Sequence, residues 1–237
     1  MGPPPVTAVI PAAGSGSRMA SAVPKQFMEL NGHPLLDWTL AAISHAAEIT
    51  SIILVAPPDD VARMTEKYVG NPRWPKVSRV AAGGATRANS VYNGVRAAGT
   101  EWILAHDAAR PFVTPTLVRR TIEAALRHGA ATAALPVYDT LKMRDGDFLG
   151  QPLDRAAALL IQTPQVFRAA DIITAHERLK NEGKEWTDET SLLQQAGIKV
   201  AWVPGEIANM KITMPDDFRL AQVIAERSPF VKGPARI

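Results

Sequence analysis

Two cations follow a turn of small residues near the amino terminus. Gly14, Ser15, Gly16 and Ser17 precede Arg18, and Lys25 comes seven residues after that arginine, behind Pro24. Residues with little or no side chain let successive backbone N–H groups converge on an anion. A guanidinium and an ammonium in the same loop can then close over one ligand, and the chemistry this suits is the binding of phosphate.

Glycine-rich phosphate loops differ in where they put their charge. A P-loop needs Gly, four residues, then Gly-Lys-Ser/Thr, and no such run occurs in the chain. A dinucleotide fingerprint needs a third glycine three residues after Gly16, where Met19 stands. It also needs an acid about 20 residues on at a strand end; the nearest, Asp37, falls in a helical pattern. What remains is Gly-x-Gly-x-Arg followed by Pro24-Lys25, a pattern that wraps backbone amides, Arg and Lys around a nucleoside triphosphate. An ordinary Gly/Ser surface loop with two solvated cations is the plain alternative.

The elements that must position this loop alternate. Val6–Ile10, Ile52–Ala56, Val77–Ala82, Trp102–Ala105 and Ala130–Val137 are apolar runs of strand length. Gln26–Leu30 reads as a short extended piece before an Asn31-Gly32 turn. Helical spacing covers Pro34–Ala47, a segment capped by Asp59 and running to Tyr68, and a segment capped by Thr86 and running to Ala98. Thr114, Pro115 and Gly129 punctuate the next helix. Strands and helices at this period predict an α/β fold, a doubly wound, mostly parallel sheet of Rossmann-like type, with every strand's carboxyl end on one edge. Ligands bind at that edge.

From Tyr138 to Gln162 the rhythm breaks. Leu141–Arg144 and Phe148-Leu149 flank Asp145-Gly146, a hairpin signal. Strands this charged do not stand alone in water, so the segment reads as an arm packing on a second subunit of a homodimer, or else as a hairpin folded onto its own domain. Helices over Ala169–Lys180 and Ser191–Ala196, the latter capped by Asp188, a strand over Ile198–Val203, an extended Met210–Thr213 and a helix from Pro215 to Arg227 complete the chain. The expected organisation is one domain over residues 1–237, with 138–162 as the inserted arm and 228–237 as a loose tail.

The strand-end edge therefore collects Gly14, Gly16, Arg18 and Lys25; then Gly83, Gly84, Arg87 and Ser90; then Asp107 and Arg110. Arg155, Thr163, Thr187 and Lys211 come later. The inventory is rich in cations and lacks an activated nucleophile: there is no cysteine, no serine elbow and no His pair. A phosphate monoester is already largely ionised near neutral pH, since its second pKa is about 6. A transferase that uses one as nucleophile needs charge stabilisation and alignment more than a base. Each residue also has a bland role open to it. Arg110 can brace a loop, Asp107 can sit in a turn, and Thr163 and Thr187 can cap helices.

Composition narrows the class. The 26 Lys and Arg against 23 Asp and Glu give a net charge of +3, too small an excess to argue for nucleic acid. No apolar run approaches the roughly 18 residues of a membrane span, and the opening MGPPPVTAV lacks the basic and apolar regions of a signal peptide. A cytoplasmic protein with no membrane partner is expected. Without cysteine, any metal must be held by oxygen or imidazole, and the five His are scattered.

Taken in order, PAAGSGSRM, PKQF, HDAARPF, DTLK, TPQVF, TDET and NMKIT resemble the 2-C-methyl-D-erythritol 4-phosphate cytidylyltransferase family of the non-mevalonate isoprenoid route, from Val6 to about Ala225. The resemblance implies transfer of a cytidylyl group from CTP to methylerythritol phosphate, with Mg²⁺ carried mainly on the CTP phosphates and Asp107 a possible ligand. It implies that Ala12, Ala13 and Gly14 hold the phosphates with Arg18 and Lys25, which also stabilise charge at the α-phosphate. Gly84 and Ser90 would read the cytosine, with Gly16, Gly83, Arg87 and Asp107 completing the nucleotide site. Asp107, Ala108 and Arg110 would contact ribose, metal or polyol. Thr140, Arg155, Thr163, Thr187 and Lys211 would hold methylerythritol phosphate, Arg155 and Lys211 gripping its phosphate, and Thr140 and Arg155 would act on the neighbouring subunit's site. Ala85 stands where relatives often carry an acid, so a base contact there must come from backbone. A ribitol-phosphate cytidylyltransferase, a dinucleotide-dependent oxidoreductase and a silent nucleotide-binding module are the competing readings.

Overall fold

The computed structural model describes residues 3–14, 24–179 and 186–227. Gly16 and Arg18, the end of the helix expected to reach Lys180, and the tail at 228–237 lie outside them. The first half runs β1 (Val6–Pro11), β2 (Glu29–Leu30), β3 (His33–Pro34), α1 (Leu35–Ser44), β4 (Ile49–Ala56), α2 (Val61–Tyr68), β5 (Val77–Ala82), α3 (Arg87–Arg96) and β6 (Trp102–Ala105). It continues with α4 (Pro115–His128), β7 (Ala130–Pro136), β8 (Leu141–Asp145), β9 (Phe148–Leu153), β10 (Leu159–Arg168), α5 (Ala169–Leu179), α6 (Glu189–Gln195), β11 (Ala201–Pro204) and α7 (Pro215–Arg227).

The main sheet has strand order β11-β7-β10-β6-β1-β4-β5. Its pairings are parallel except those of β10, which is antiparallel to both β6 and β7. The mostly parallel α/β architecture follows from strands buried on both faces. Along β1, Val6, Ala8 and Ile10 enter one core with Leu36 and Leu40 of α1 and Leu117 and Ile122 of α4. Val9 enters the other, with Val91 and Val95 of α3, Ile172 of α5 and Leu193 of α6. Both sets must be apolar, which is why the strand reads as a continuous run. Helix α3 lies tight on the sheet: a Cβ on Gly94 would fall 2.5 Å from a Val9 methyl, so only glycine allows this approach. That contact sets the helix amino terminus at the strand-end edge.

Several sequence expectations are corrected. Residues 163–168, which show no apolar strand pattern, are part of β10, in the interior of the sheet. Leu159–Gln162 belong to this strand and not to the arm, whose hairpin is β8–β9. Gln165, Thr163 and Gln162 are polar but buried there, and they satisfy themselves on the loops they cross. Polar residues at core positions erase the apolar signature of a buried strand. Asp59 does not cap α2. The segment Pro58–Asp60 forms a 3-10 turn, the helix starts at Val61, and Asp60 pairs with Arg63 instead. Strand β11 starts at Ala201 rather than Ile198. The caps at Thr86, Thr114 and Asp188 accept from the N–H groups of Asn89, Leu117 and Ser191.

Candidate active site

At the carboxyl edge of β1, β5 and β6 lies a cleft of about 620 Å³, a size suited to a nucleotide. Pro11 to Gly14 form one wall, Gly84 to Arg87 and Ser90 another, Asp107 to Ala109 the floor, and Lys25, Gln26, Lys211 and Thr213 the remaining rim. Each wall is held by hydrogen bonds to backbone. The Ala12 N–H reaches the Val55 carbonyl of β4 at 2.8 Å, and buried Gln26 donates to the Ala12 carbonyl at 2.7 Å. Lys25 Nζ lies 3.4 Å from the Ile212 carbonyl, which ties the two cationic segments together. On the second wall the Ser90 hydroxyl donates to the Thr86 carbonyl at 2.9 Å and accepts from the Gly84 N–H at 3.1 Å. A Cβ on Gly84 would lie 2.5 Å from that of Asn89, so the loop depends on glycine.

Asp107 is the electrostatic centre. Arg87 Nε and Nη2 reach its Oδ1 at 3.1 Å, and Lys211 Nζ at 3.0 Å and Arg110 Nε at 3.4 Å reach its Oδ2. Burial alone would raise this carboxyl; Arg87, Lys211 and Arg110 overcome burial and hold it far below the usual carboxylate range. A carboxylate offers about four lone-pair sites, and all are engaged by cations. Asp107 is therefore not a proton acceptor. Among the described residues no three His, Asp or Glu side chains converge as a metal cage. The donor set fits a divalent cation that arrives on a ligand's phosphates, with Asp107 reachable only by displacing Lys211 or Arg110.

A second network fixes the backbone of Asp107. His106 Nε2 lies 3.0 Å from the Arg110 carbonyl, which can only accept, so Nε2 carries the proton. Nδ1 then accepts from the Thr163 hydroxyl at 3.0 Å, and the same hydroxyl oxygen accepts the Asp107 N–H at 3.1 Å. Full burial pushes His106 down to about 4, the bond to the Arg110 carbonyl opposing it. A histidine with a depressed folded pKa disfavours the native state as the pH falls, because the unfolded chain binds the proton first. Stability is therefore expected to drop by about 3 kcal/mol on going from about pH 6.5 to about pH 4. Urea unfolding across that range, with His106→Asn giving a flatter slope, checks this; equal slopes would refute it.

The sequence-derived candidates separate into groups. Ala12, Ala13, Gly14, Lys25, Gly84, Arg87, Ser90, Asp107, Ala108 and Lys211 all line the cleft. Gly83 and Arg110 stand directly behind it, Gly83 donating to the Ala56 carbonyl and Arg110 to the Asn209 carbonyl. Thr163 is buried, its hydroxyl committed as above. Thr140, Arg155 and Thr187 are exposed and outside the cleft lining, Arg155 donating to the Tyr138 carbonyl at the base of the arm. Sequence reasoning missed Gln26, His106 and Glu189. Gln26 sat in a quoted motif as PKQF, yet a lone amide carries no spacing signal. Glu189 lies inside the TDET string, just ahead of the helix expected from Ser191, and receives no role there, although its carboxylate takes Arg87 Nη1 at 2.8 and 3.0 Å. Burial pushes the Glu189 carboxyl up, and Arg87 opposes it.

Residues 6–227 match the family described as IspD, 2-C-methyl-D-erythritol 4-phosphate cytidylyltransferase. The chain belongs to that family. It is 40% identical over 218 residues to the 2-C-methyl-D-erythritol 4-phosphate cytidylyltransferase of Geobacillus kaustophilus, covering 92% of this chain and 95% of the relative. It is 44% identical over 233 residues to a bifunctional enzyme IspD/IspF of an Anaeromyxobacter species, covering 96% of this chain and 59% of that longer protein. The crystal structure of the Thermus thermophilus cytidylyltransferase superposes with a TM-score of 0.76 at 38% identity, over 92% of this chain and 98% of the other. The chain is thus a nucleotidyltransferase of isoprenoid precursor synthesis, an enzyme class that uses a divalent cation.

Proposed function

We propose that the strand-edge cleft is where this chain carries out its family's reaction, transfer of a cytidylyl group from CTP to 2-C-methyl-D-erythritol 4-phosphate with release of pyrophosphate. The observation that carries this is the convergence of the Ala12–Gly14 backbone, Lys25, Lys211 and Arg87 on one cavity of about 620 Å³. The triphosphate lies over the glycine turn, and Arg18 and Lys25 neutralise it. The base faces the Gly84–Ser90 wall. An oxygen of the methylerythritol phosphate attacks the α-phosphorus in line, forming the new P–O bond as the bond to the β-phosphate oxygen breaks, and pyrophosphate leaves with those electrons. The attacking oxygen is already ionised, so no side chain takes a proton. Mg²⁺ on the CTP phosphates supplies further charge neutralisation when bound.

The second substrate's phosphate meets Lys211, which gives up its bond to Asp107, and Arg155 from the arm of a neighbouring subunit. Support for a homodimer lies in the arm and in the start of β10 beside it. Tyr138, Phe148 and Leu149 are 75, 80 and 79% exposed, and Leu160 and Ile161 are also open, an apolar surface that calls for a partner. Arg155→Ala is expected to raise KM for methylerythritol phosphate about 10-fold or more while sparing KM for CTP. Phe148→Asp with Leu149→Asp is expected to give monomers with the same KM defect, read by sedimentation and steady-state kinetics; a monomer with normal KM would remove the arm from the site. The same reading puts the enzyme in the cytoplasm, with substrates too charged to cross a membrane and, among the described residues, no helix long and apolar enough to span one.

The deciding experiment is pyrophosphate release across the four nucleoside triphosphates, each with methylerythritol phosphate or ribitol 5-phosphate. CTP with methylerythritol phosphate is expected to be fastest. Faster turnover with ribitol 5-phosphate, or with another triphosphate, would overturn the assignment.

A further inference from the structure

Glu189 does not line the cleft, yet it is only 2% exposed and its carboxylate is aimed at a residue that does. Arg87 opens α3, Glu189 opens α6, and Asp107 follows β6, so one guanidinium joins three elements. Glu189 takes Nη1, while Nε and Nη2 go to Asp107 Oδ1. A guanidinium is a rigid planar fork, so pinning one nitrogen orients the others. With Oδ1 so occupied, Oδ2 is left to Arg110 and Lys211. Arg110 is buried and also bonded to the Asn209 carbonyl, whereas the Lys211 side chain is 34% exposed. Lys211 is therefore the cation that can leave Asp107 for an incoming phosphate.

Charge points the same way. Arg87, Arg110 and Lys211 against Asp107 leave two positive charges in the cleft wall, and Glu189 cancels one of them. Without it, Arg87 would keep only its bonds to an Asp107 carboxylate shared with Arg110 and Lys211, and its Nη1 would be released to turn toward the phosphates. We propose that Glu189 is a positioning residue for cytidylyl transfer: by holding Arg87 it fixes Asp107 Oδ1 and reserves Lys211 for the substrate phosphate. This rests on the cleft being the transfer site.

The test is a double-mutant cycle in kcat/KM for methylerythritol phosphate, with active sites counted by CTP binding in calorimetry. Glu189→Gln is expected to lower kcat/KM about 10-fold and Arg87→Met at least as much, with the double variant no worse than Arg87→Met alone, as for groups acting in series. Glu189→Asp, which keeps the charge and withdraws it by one methylene, runs the same cycle on a milder perturbation should the Gln variant fail to fold. Wild-type kcat/KM per binding site in both Glu189 variants, or losses that multiply in the double variant, would overturn the role of Glu189. Arg87→Met at the wild-type rate would overturn the cleft assignment itself, and Glu189 with it.

Discussion

Replacing Lys25 with Met is expected to lower kcat by about 10²- to 10³-fold, the scale for losing one donor aimed at a developing charge. Arg18→Met is expected to do the same. On the proposed function the cation would stabilise the pentacoordinate α-phosphorus more than the ground-state triphosphate, so the loss should fall on kcat, with KM for CTP moving less. Lys25 sits on the cleft rim against the Ile212 carbonyl, next in sequence to Lys211, and this position supports the proposed contact with a triphosphate. Single-turnover kinetics with saturating CTP make the measurement. A variant within a few fold of wild type would remove Lys25 from the chemistry.

Asp107→Asn should damage both fold and activity. It removes the single anion on which Arg87, Arg110 and Lys211 converge, while leaving a side chain of nearly the same shape. Arg110 and Lys211 would then face each other and Arg87 without their shared anion, since Glu189 reaches only Arg87. Breaking a buried ionic cluster from one side costs about 3 to 5 kcal/mol, so a large drop in the urea midpoint is expected, and kcat/KM should fall with it because Lys211 loses its anchor. In the wild-type enzyme the carboxylate is held so far below its ordinary range that Asp107 stays charged as the pH falls. The pH–rate profile should therefore show no acid limb from this group. A limb near the ordinary carboxylate pKa, abolished by Asp107→Asn, would contradict the saturated geometry.

Much of the site was legible without coordinates because its residues are local to strand ends. Ala12 to Gly14, Gly84, Ser90, Asp107 and Lys25 each follow an apolar run, and parallel strands connected by right-handed crossovers bring those ends to one edge. The caps at Thr86, Thr114 and Asp188 were likewise readable, since a cap is a contact between residues two or three apart. Strand β10 was not. Its polar members are buried because loops from distant parts of the chain supply their partners: Thr163 meets His106, Gln162 meets Glu206, and Gln165 meets Asp188. Pattern rules see a broken apolar run, and only the fold shows why it is tolerated.

The amino-acid order by itself determined the alternation of strands and helices, the glycine turn with its paired cations, and through seven ordered motifs the family. Those features depend on neighbours in sequence, on side-chain period and on turn chemistry. The tertiary structure alone decided that Asp107 is saturated by three cations, that His106 is a neutral strut and Thr163 its buried partner, and that Glu189 stands behind Arg87. Each of these is a balance of burial against charge between residues up to about a hundred positions apart, as Arg87 and Glu189 are, and that balance exists only once the chain has closed around it.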